Sequence, residues 1–243
     1  MPLSEPQDRE PLHTRTIVIR GYRRRDGLYD IEAHLTDSKA RGFLNEHRGY
    51  VQAGEPLHGM WMRMTVDDRL HIVACEAASD HTPYAVCELA APNFARLTGL
   101  RIKAGFLREA AARIGGTAGC THLRELLQQM GTTAHQTVFS AKGDREAEAI
   151  RAETGTALTP EEVDARVAAK FGGSAKIVNT CIAYDDTGPI VQRRWPHLYK
   201  GTDQDKGTDQ DKGTDQDHPA DQADPADQGD RRVEAAALPA SQS

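Results

Sequence analysis

Residues 58–67 read HGMWMRMTVD, and this stretch decides the fold. Met60, Met62, Met64 and Val66 are apolar and alternate with Gly59, Trp61, Arg63 and Thr65. An alternation of period two is typical of a β-strand with one buried face. The following Asp-Asp pair predicts a turn, and the apolar run Leu70–Cys75 predicts the returning strand.

A second pair of strands precedes the first. The runs 16–19 (TIVI) and 28–33 (LYDIEA) flank Asp26-Gly27, a strong short signal for a β-hairpin. Residues 38–56 show little regular pattern and are predicted to form a loop.

After residue 83 the apolar spacing becomes helical. One helix is predicted to end near Gly99, a second spans 105–114, and a third begins at Gly119-Cys120-Thr121. Thr159-Pro160-Glu161-Glu162 has the form of a capping box and predicts a further helix that ends near Phe171. Residues 177–198 are predicted to hold a short strand or an irregular segment. This order predicts an α+β fold, with a small antiparallel sheet of about three to four strands followed by helices on one face.

The chain is predicted to have four parts. Residues 1–14 form a flexible N-terminus, 15–140 an α+β core domain with the metal site, and 141–198 a helical extension and C-terminal segment. Residues 199–243 repeat KGTDQD three times and continue in Asp, Gln, Pro and Ala. Such a tract buries too little apolar surface to offset its ordering entropy, so we expect a disordered acidic tail.

Composition narrows the function. The tail holds five of the 30 basic and eleven of the 36 acidic side chains, so the other 198 residues are neutral. A basic patch with interleaved aromatic residues would predict a nucleic-acid partner, and the sequence shows none. No apolar run approaches the roughly 20 residues that a membrane span needs, and the polar opening MPLSEPQDRE lacks the apolar stretch of a signal peptide. We therefore expect a cytoplasmic protein with reduced thiols, without nucleic-acid or membrane partners.

The segment 115–123 (GGTAGCTHL) is the strongest candidate for chemistry. It delivers Cys120 and His122 to a helix N-terminus, where the helix dipole favours a thiolate. Thiolate and imidazole are ligands of zinc and of iron–sulfur clusters. Strand ends and helix starts gather at one edge of such a layer, so His58 and Cys87 are predicted as the further ligands. The alternative is that Cys120 packs as a small apolar residue and His122 is a surface residue.

Other residues are weaker candidates. His81 could replace one ligand, although a polar loop position explains it better, and Cys181 could fold back over the site. Cys75 is predicted to be a core residue. Asp26, Asp30 and Asp37 are better explained as turn and strand-end residues, and Arg20, Arg63 and Arg101 as ordinary surface residues.

Several of these segments resemble a bacterial domain of unknown function, family 2889. They are RRDGLYDI at 24–31, HGM at 58–60, Tyr84 to Cys87, LTG at 97–99 and GCTHL at 119–123, over roughly residues 10–198. The family name implies no activity.

The layout also resembles iron–sulfur scaffold proteins of the IscU and SufU type. That resemblance implies a sheet followed by helices, with His58, Cys87 and Cys120 at the positions of the scaffold cysteines. His58 and Met60 stand where the scaffold has Cys and Asp, and Gly99-Leu100-Arg101 replaces a Gly-Lys-Thr run. The resemblance therefore implies a metal-binding edge and does not extend to delivery of a cluster.

Three functions follow as hypotheses. The first is a cytosolic protein that binds zinc or an iron–sulfur cluster through His58, Cys87, Cys120 and His122. The second is a metal-dependent enzyme, a thiol enzyme with Cys120 and His122 as catalytic residues, or an accessory subunit. Its setting would be bacterial catabolism of small molecules, aromatic compounds among them. The third is a non-catalytic interaction module that binds a protein partner or a second copy of itself.

Overall fold

Four long antiparallel strands form the sheet in a computed structural model, which describes residues 3–171 and 177–201. The strands are β1 (His13–Arg23), β2 (Tyr29–Lys39), β5 (Pro56–Val66) and β6 (Ile72–His81), in the order β1-β2-β5-β6. Helices follow, so the predicted α+β fold is confirmed. The predicted hairpin joins β1 to β2, and Gly27 in its turn has a φ of 86°, which favours glycine.

A small two-stranded ribbon occupies part of the segment that was predicted to be a loop. It consists of β3 (Phe43–Asn45) and β4 (Gly49–Val51), which pair only with each other. The ribbon connects β2 to β5, the two central strands of the large sheet.

The buried face of the sheet carries the apolar residues of the predicted alternation. β2 contributes Tyr29, Ile31, Ala33 and Leu35, and β5 contributes Met60, Met62, Met64 and Val66, all at most 2% exposed. These side chains are direct partners in the register of the two strands. The helices cover this face and complete the core.

The helical half begins with a 3-10 helix at Ala85–Leu97, followed by α1 (Phe106–Ile114). Then come α2 (Thr121–Thr154) and α3 (Pro160–Phe171), with a short α4 (Pro189–Arg194) and three 3-10 turns at 116–118, 182–184 and 196–198. The helix that was predicted to end near Gly99 is therefore a 3-10 helix, and it contains Pro92. α2 continues without a break past residue 140, where the sequence predicted the core domain to end.

The predicted capping box at the start of α3 is present. The backbone N–H of Thr159 donates to Glu162 Oε2 at 2.8 Å, and the N–H of Glu162 donates to Thr159 Oγ1 at 3.3 Å. Two backbone donors that the helix itself leaves unpaired are thus satisfied.

Helix α2 lies across β1 and β2. A Cβ at Gly21 of β1 would collide with the hydroxyl of Thr137. Glycine therefore allows the helix backbone to approach the strand closely at this point. This contact lies near the C-terminal end of β1, and the first turn of α2 lies over the other end of the strand.

Residues 202–243 lie outside the described residues, and with them the acidic repeats of the predicted tail. Among the residues that are described, no helix has both the length and the apolar character needed to cross a membrane.

Candidate metal centre

A row of three polar residues ends the apolar face of the sheet. Arg15, Asp37 and His58 stand directly opposite one another on β1, β2 and β5. The preceding buried row holds Leu35 and Met60 as partners. Because side chains alternate between faces, Asp37 and His58 lie on the buried face, one row beyond this apolar pair.

A β-bulge follows this row. Asp37 pairs with His58 but Ser38 pairs with Pro56, so Leu57 is an extra residue on β5. Bulges end regular pairing and redirect side chains, and they are frequent beside functional sites. Here the bulge marks the end of the ladder, next to the polar row.

The first turn of α2 supplies a third group. Cys120 caps the helix, and its carbonyl accepts the N–H of Arg124 at 3.0 Å. His122 follows within the first turn and lies over the polar row. Glu125, one turn further, accepts a hydrogen bond from Arg15 Nη1 and so ties the helix to β1.

Two imidazoles converge on one carboxylate oxygen. Asp37 Oδ2 lies 3.1 Å from His58 Nδ1 and 3.6 Å from His122 Nε2. One ligand atom from each of the three residues lies within 4.8 Å of the others, the arrangement of a group that could hold a metal ion. The two imidazole rings lie next to each other, 3.8 Å between centroids, with their planes tilted by 30°.

Arg15 keeps the buried carboxylate ionised. Asp37 is 1% exposed and accepts two hydrogen bonds from this guanidinium, Nε to Oδ1 and Nη2 to Oδ2, each 2.8 Å long. Burial by itself raises the pKa of Asp37, but the hydrogen bonds and charge of Arg15, with smaller effects from His58 and His13, lower it to about 2. Asp37 is therefore an anion throughout the physiological pH range.

Burial has the opposite consequence for the two histidines. It lowers the pKa of His58, and the neighbouring His122 lowers it further. Burial also lowers the pKa of His122, with a contribution from the positive charge of Arg15. Both imidazoles are therefore favoured in the neutral form, in which each has a nitrogen lone pair for a metal.

His58 Nδ1 is an orphan atom. It is buried and lacks a hydrogen-bond partner within residues 3–171 and 177–201, because its approach to Asp37 does not have the alignment of a hydrogen bond. Its contact with Asp37 Oδ2 therefore provides the attraction of the charge but not a well-aligned hydrogen bond. Such a group calls for an explanation, and a bound ion is one.

The structure brings two of the four predicted ligands together, His58 and His122. Cys120 lies beside them, but its Sγ contacts Nδ1 of His122 at 3.9 Å, whereas Nε2 of the same ring faces Asp37. Cys120 thus stands behind the imidazole. Cys87 is a partly buried free thiol in the 3-10 helix and does not belong to the group of three.

The weaker candidates lie elsewhere. Cys75 is 6% exposed and packs in the core, as predicted, and burial raises the pKa of its thiol to about 12. Cys181 is exposed. His81 ends β6 opposite Gly59 and is not part of the group.

Asp37 was interpreted as a turn or strand-end residue, and it does lie two residues before the end of β2, but it is not a plain surface position. Asp37 lies inside β2 on the buried face and is the centre of the group. The signal was present in the sequence, because the alternation Tyr29, Ile31, Ala33, Leu35 reaches Asp37 when it is continued by one step. A carboxylate at a buried-face position requires a partner. That partner is Arg15, which in turn pairs with Glu125. Neither residue was a candidate from the sequence.

The model of the family described as "Protein of unknown function (DUF2889)" matches residues 13–136, just over half of the chain. The chain belongs to this family. No curated protein and no solved structure matches it. The resemblance to iron–sulfur scaffold proteins and the bacterial origin therefore stay predictions.

Proposed function

We propose that the protein binds one divalent transition-metal ion through Asp37 Oδ2, His58 Nδ1 and His122 Nε2. The observation that carries the proposal is the convergence of two neutral imidazoles on one buried carboxylate oxygen, with His58 Nδ1 left without a hydrogen-bond partner.

The distances suit a small ion. Two ligand atoms that are each ~2.1 Å from one ion, at a tetrahedral angle, lie ~3.4 Å apart. The separations of Asp37 Oδ2 from the two imidazole nitrogens, 3.1 and 3.6 Å, lie on either side of this value. Small side-chain movements are therefore sufficient to place an ion between the three atoms.

Protonation also favours binding. A metal binds neutral imidazole and ionised carboxylate, and any proton on these groups must first be released. Arg15 holds Asp37 in its anionic form, and burial favours neutral His58 and His122. The three donors are therefore in their binding forms at neutral pH.

The donor set indicates the kind of metal. Two imidazoles and one carboxylate bind single zinc or non-haem iron(II) ions, whereas iron–sulfur clusters are held mainly by thiolates. None of the three converging residues is a cysteine. We therefore propose a single zinc or iron(II) ion and do not carry the cluster forward.

Metal analysis of purified, untagged protein tests the proposal, combined with calorimetric titration of Zn²⁺ into chelator-treated protein. We expect about one equivalent per chain. The His58→Gln variant should bind at least tenfold more weakly. His71→Gln is the matched control, because His71 also lies beside a carboxylate, with its Nδ1 3.0 Å from Asp67, but at a different end of the sheet. Equal loss in both variants, or no binding by the parent protein, would refute the site.

The cysteine variants separate this site from the ligand set predicted from the sequence. Cys87→Ser should leave the affinity for Zn²⁺ unchanged. Cys120→Ser should weaken it only moderately, since its Sγ contacts the outer nitrogen of a ligand imidazole. Complete loss of metal in either variant would support the cysteine ligands predicted from the sequence and contradict the three-residue site.

A thiol enzyme is the second candidate, and the 3.9 Å contact between Cys120 Sγ and His122 Nδ1 favours it. A nucleophilic thiol needs such a neighbouring base. Rapid alkylation of Cys120 by iodoacetamide in metal-free protein, abolished in His122→Gln, is the expected result. A rate no faster than that of a free thiol would exclude this candidate. Action in small-molecule catabolism and service as an interaction module stay predictions.

A further inference from the structure

We infer that the proposed ion keeps an open coordination position that accepts an anionic oxygen ligand, such as the carboxylate of a small substrate. This inference rests on the proposed function. It concerns what the site takes from solution, and four features of the site support it.

The first feature is the number of donors. Zinc takes four ligands or more, and a site with three protein ligands has room for one from outside. Cys120 contacts the nitrogen of His122 that faces away from the group, and His13 Nε2 lies against the other carboxylate oxygen, 3.2 Å from Asp37 Oδ1. Neither belongs to the group of three found among the described residues. Residues 3–171 and 177–201 thus offer no fourth ligand in place, and the position is open to one from solution.

The second feature is the lone pairs of Asp37. Each oxygen has about two acceptor sites. Oδ1 faces both Arg15 Nε and His13 Nε2, so its capacity is used. Oδ2 accepts from Arg15 Nη2 and has one site left. Asp37 can therefore give an ion one oxygen only, and Arg15 prevents it from filling a second position by bidentate binding.

The third feature is access. Asp37 is 1% exposed and His58 13%, so these two form the closed wall of the site. The side chains of His13, Arg15 and His122 are 40%, 32% and 24% exposed. A small ligand can reach the site from this exposed side.

The fourth feature is charge. The charges of Asp37 and Glu125 are offset by Arg15 and a divalent ion, which leaves a net charge of about +1 with neutral imidazoles. An anion is therefore favoured over a neutral ligand of the same shape.

A spectroscopic titration tests the inference. Cobalt(II) replaces the native ion in the full-length protein, and its visible absorption reports the number and kind of ligands. Acetate is the probe, and acetamide is its neutral counterpart of nearly the same shape. We expect acetate to change the cobalt spectrum with a saturable dependence and to bind at least tenfold more tightly than acetamide.

A pair of variants tests the role of charge without touching a ligand. Glu125→Gln removes the exposed negative charge beside Arg15 and should tighten acetate binding about two- to fivefold. Glu76→Gln is the matched control, since Glu76 also pairs with an arginine, Arg63, but is not part of the site. It should leave acetate binding unchanged. A gain in affinity cannot result from damage to the fold.

The outcomes distinguish the two proposals. Failure to bind cobalt or zinc would overturn the metal site itself. Binding of cobalt with a spectrum that neither probe alters would overturn the open position alone. Equal effects of acetate and acetamide would overturn the preference for an anion, as would an unchanged acetate affinity in Glu125→Gln.

Discussion

Replacement of Asp37 by asparagine removes the charge at the centre of the polar row and keeps the shape of the side chain. Asp37 is 1% exposed, so solvent screens its interactions only weakly. Its pKa falls from the ordinary 3.8 to about 2. At about 1.4 kcal/mol per pKa unit, ionised Asp37 stabilises the fold by about 2 kcal/mol. We expect Asp37→Asn to lose this amount at pH 7 in metal-free protein.

The dependence on pH has a definite sign. A carboxylate whose pKa is lower in the folded state stabilises the fold above the unfolded value of 3.8, and this stabilisation is lost as the pH falls through about 2. The difference in unfolding free energy between parent and variant should therefore be present at pH 5–8. It should shrink below pH 4 and disappear near pH 2.

Urea unfolding, followed by circular dichroism in the presence of a chelator, measures this difference at each pH. Asp26→Asn is the control, because Asp26 also pairs with an arginine, Arg24, but is exposed in the hairpin turn. It should change stability little, since exposed ion pairs contribute little. A loss in Asp37→Asn that is the same at pH 2 and pH 7 would show that packing, and not charge, is responsible.

Three further predictions concern the metal, the packing of α2 and the thiols. At the proposed site, protons would compete with the metal for His58 and His122. Burial lowers the pKa of both imidazoles below 6.5, so zinc affinity in a chelator competition should hold down to about this pH and fall below it. A steep fall already between pH 8 and 7 would contradict this. Gly21→Ala should cost about 1–3 kcal/mol in urea unfolding and weaken metal binding, because its Cβ would displace Thr137. Gly143→Ala, in α2 with no closer contact than 3.4 Å, should instead stabilise by about 0.5–1 kcal/mol. Mass spectrometry after brief alkylation should find Cys181 labelled and Cys75 unlabelled until the protein unfolds, and early labelling of Cys75 would contradict its burial.

The sheet could be predicted because burial of one face requires apolar residues at every second position of a strand. The Met60–Val66 alternation and Asp26-Gly27 each depend on local geometry, and both predicted what the structure contains. The capping box at Thr159 is equally local. The ribbon Phe43–Val51 was missed because three-residue strands are too short to show a period.

The site was predictable only in part, because it depends on contacts between distant elements. His58 and His122 were chosen for their positions at a strand start and a helix start. Their meeting point depends on α2 lying over β1 and β2, which the close approach at Gly21 permits and no local pattern reveals.

Cys87 was predicted at the same edge and is absent from the group for a topological reason. Its 3-10 helix packs on β6, whereas α2 packs on β1 and β2. In the order β1-β2-β5-β6 these positions are at opposite sides of the sheet. Strand ends and helix starts can gather at the same end of a sheet and still be far apart, because each helix can pack over a different strand.

The extent of the family match bears on what the site is for. Residues 13–136 include every residue of the polar row and the first turn of α2, and they end close to Thr137, where α2 packs against Gly21. The second half of α2 and all of α3 lie outside the match. The matched part is therefore the sheet together with the helical segment that the site requires.

If the three residues bind a metal throughout the family, they should be conserved or replaced together from one family sequence to the next. Loss of Asp37 would leave two buried imidazoles without their anionic partner, and loss of Arg15 would leave a buried carboxylate without its cation. Comparison of family sequences should therefore show Asp37, His58 and His122 kept or lost as a set, with Arg15 following Asp37. Cys87 should vary independently of them. Many members that keep both histidines but have an apolar residue at position 37 would refute a shared metal site, and would point instead to a local role for the imidazole pair.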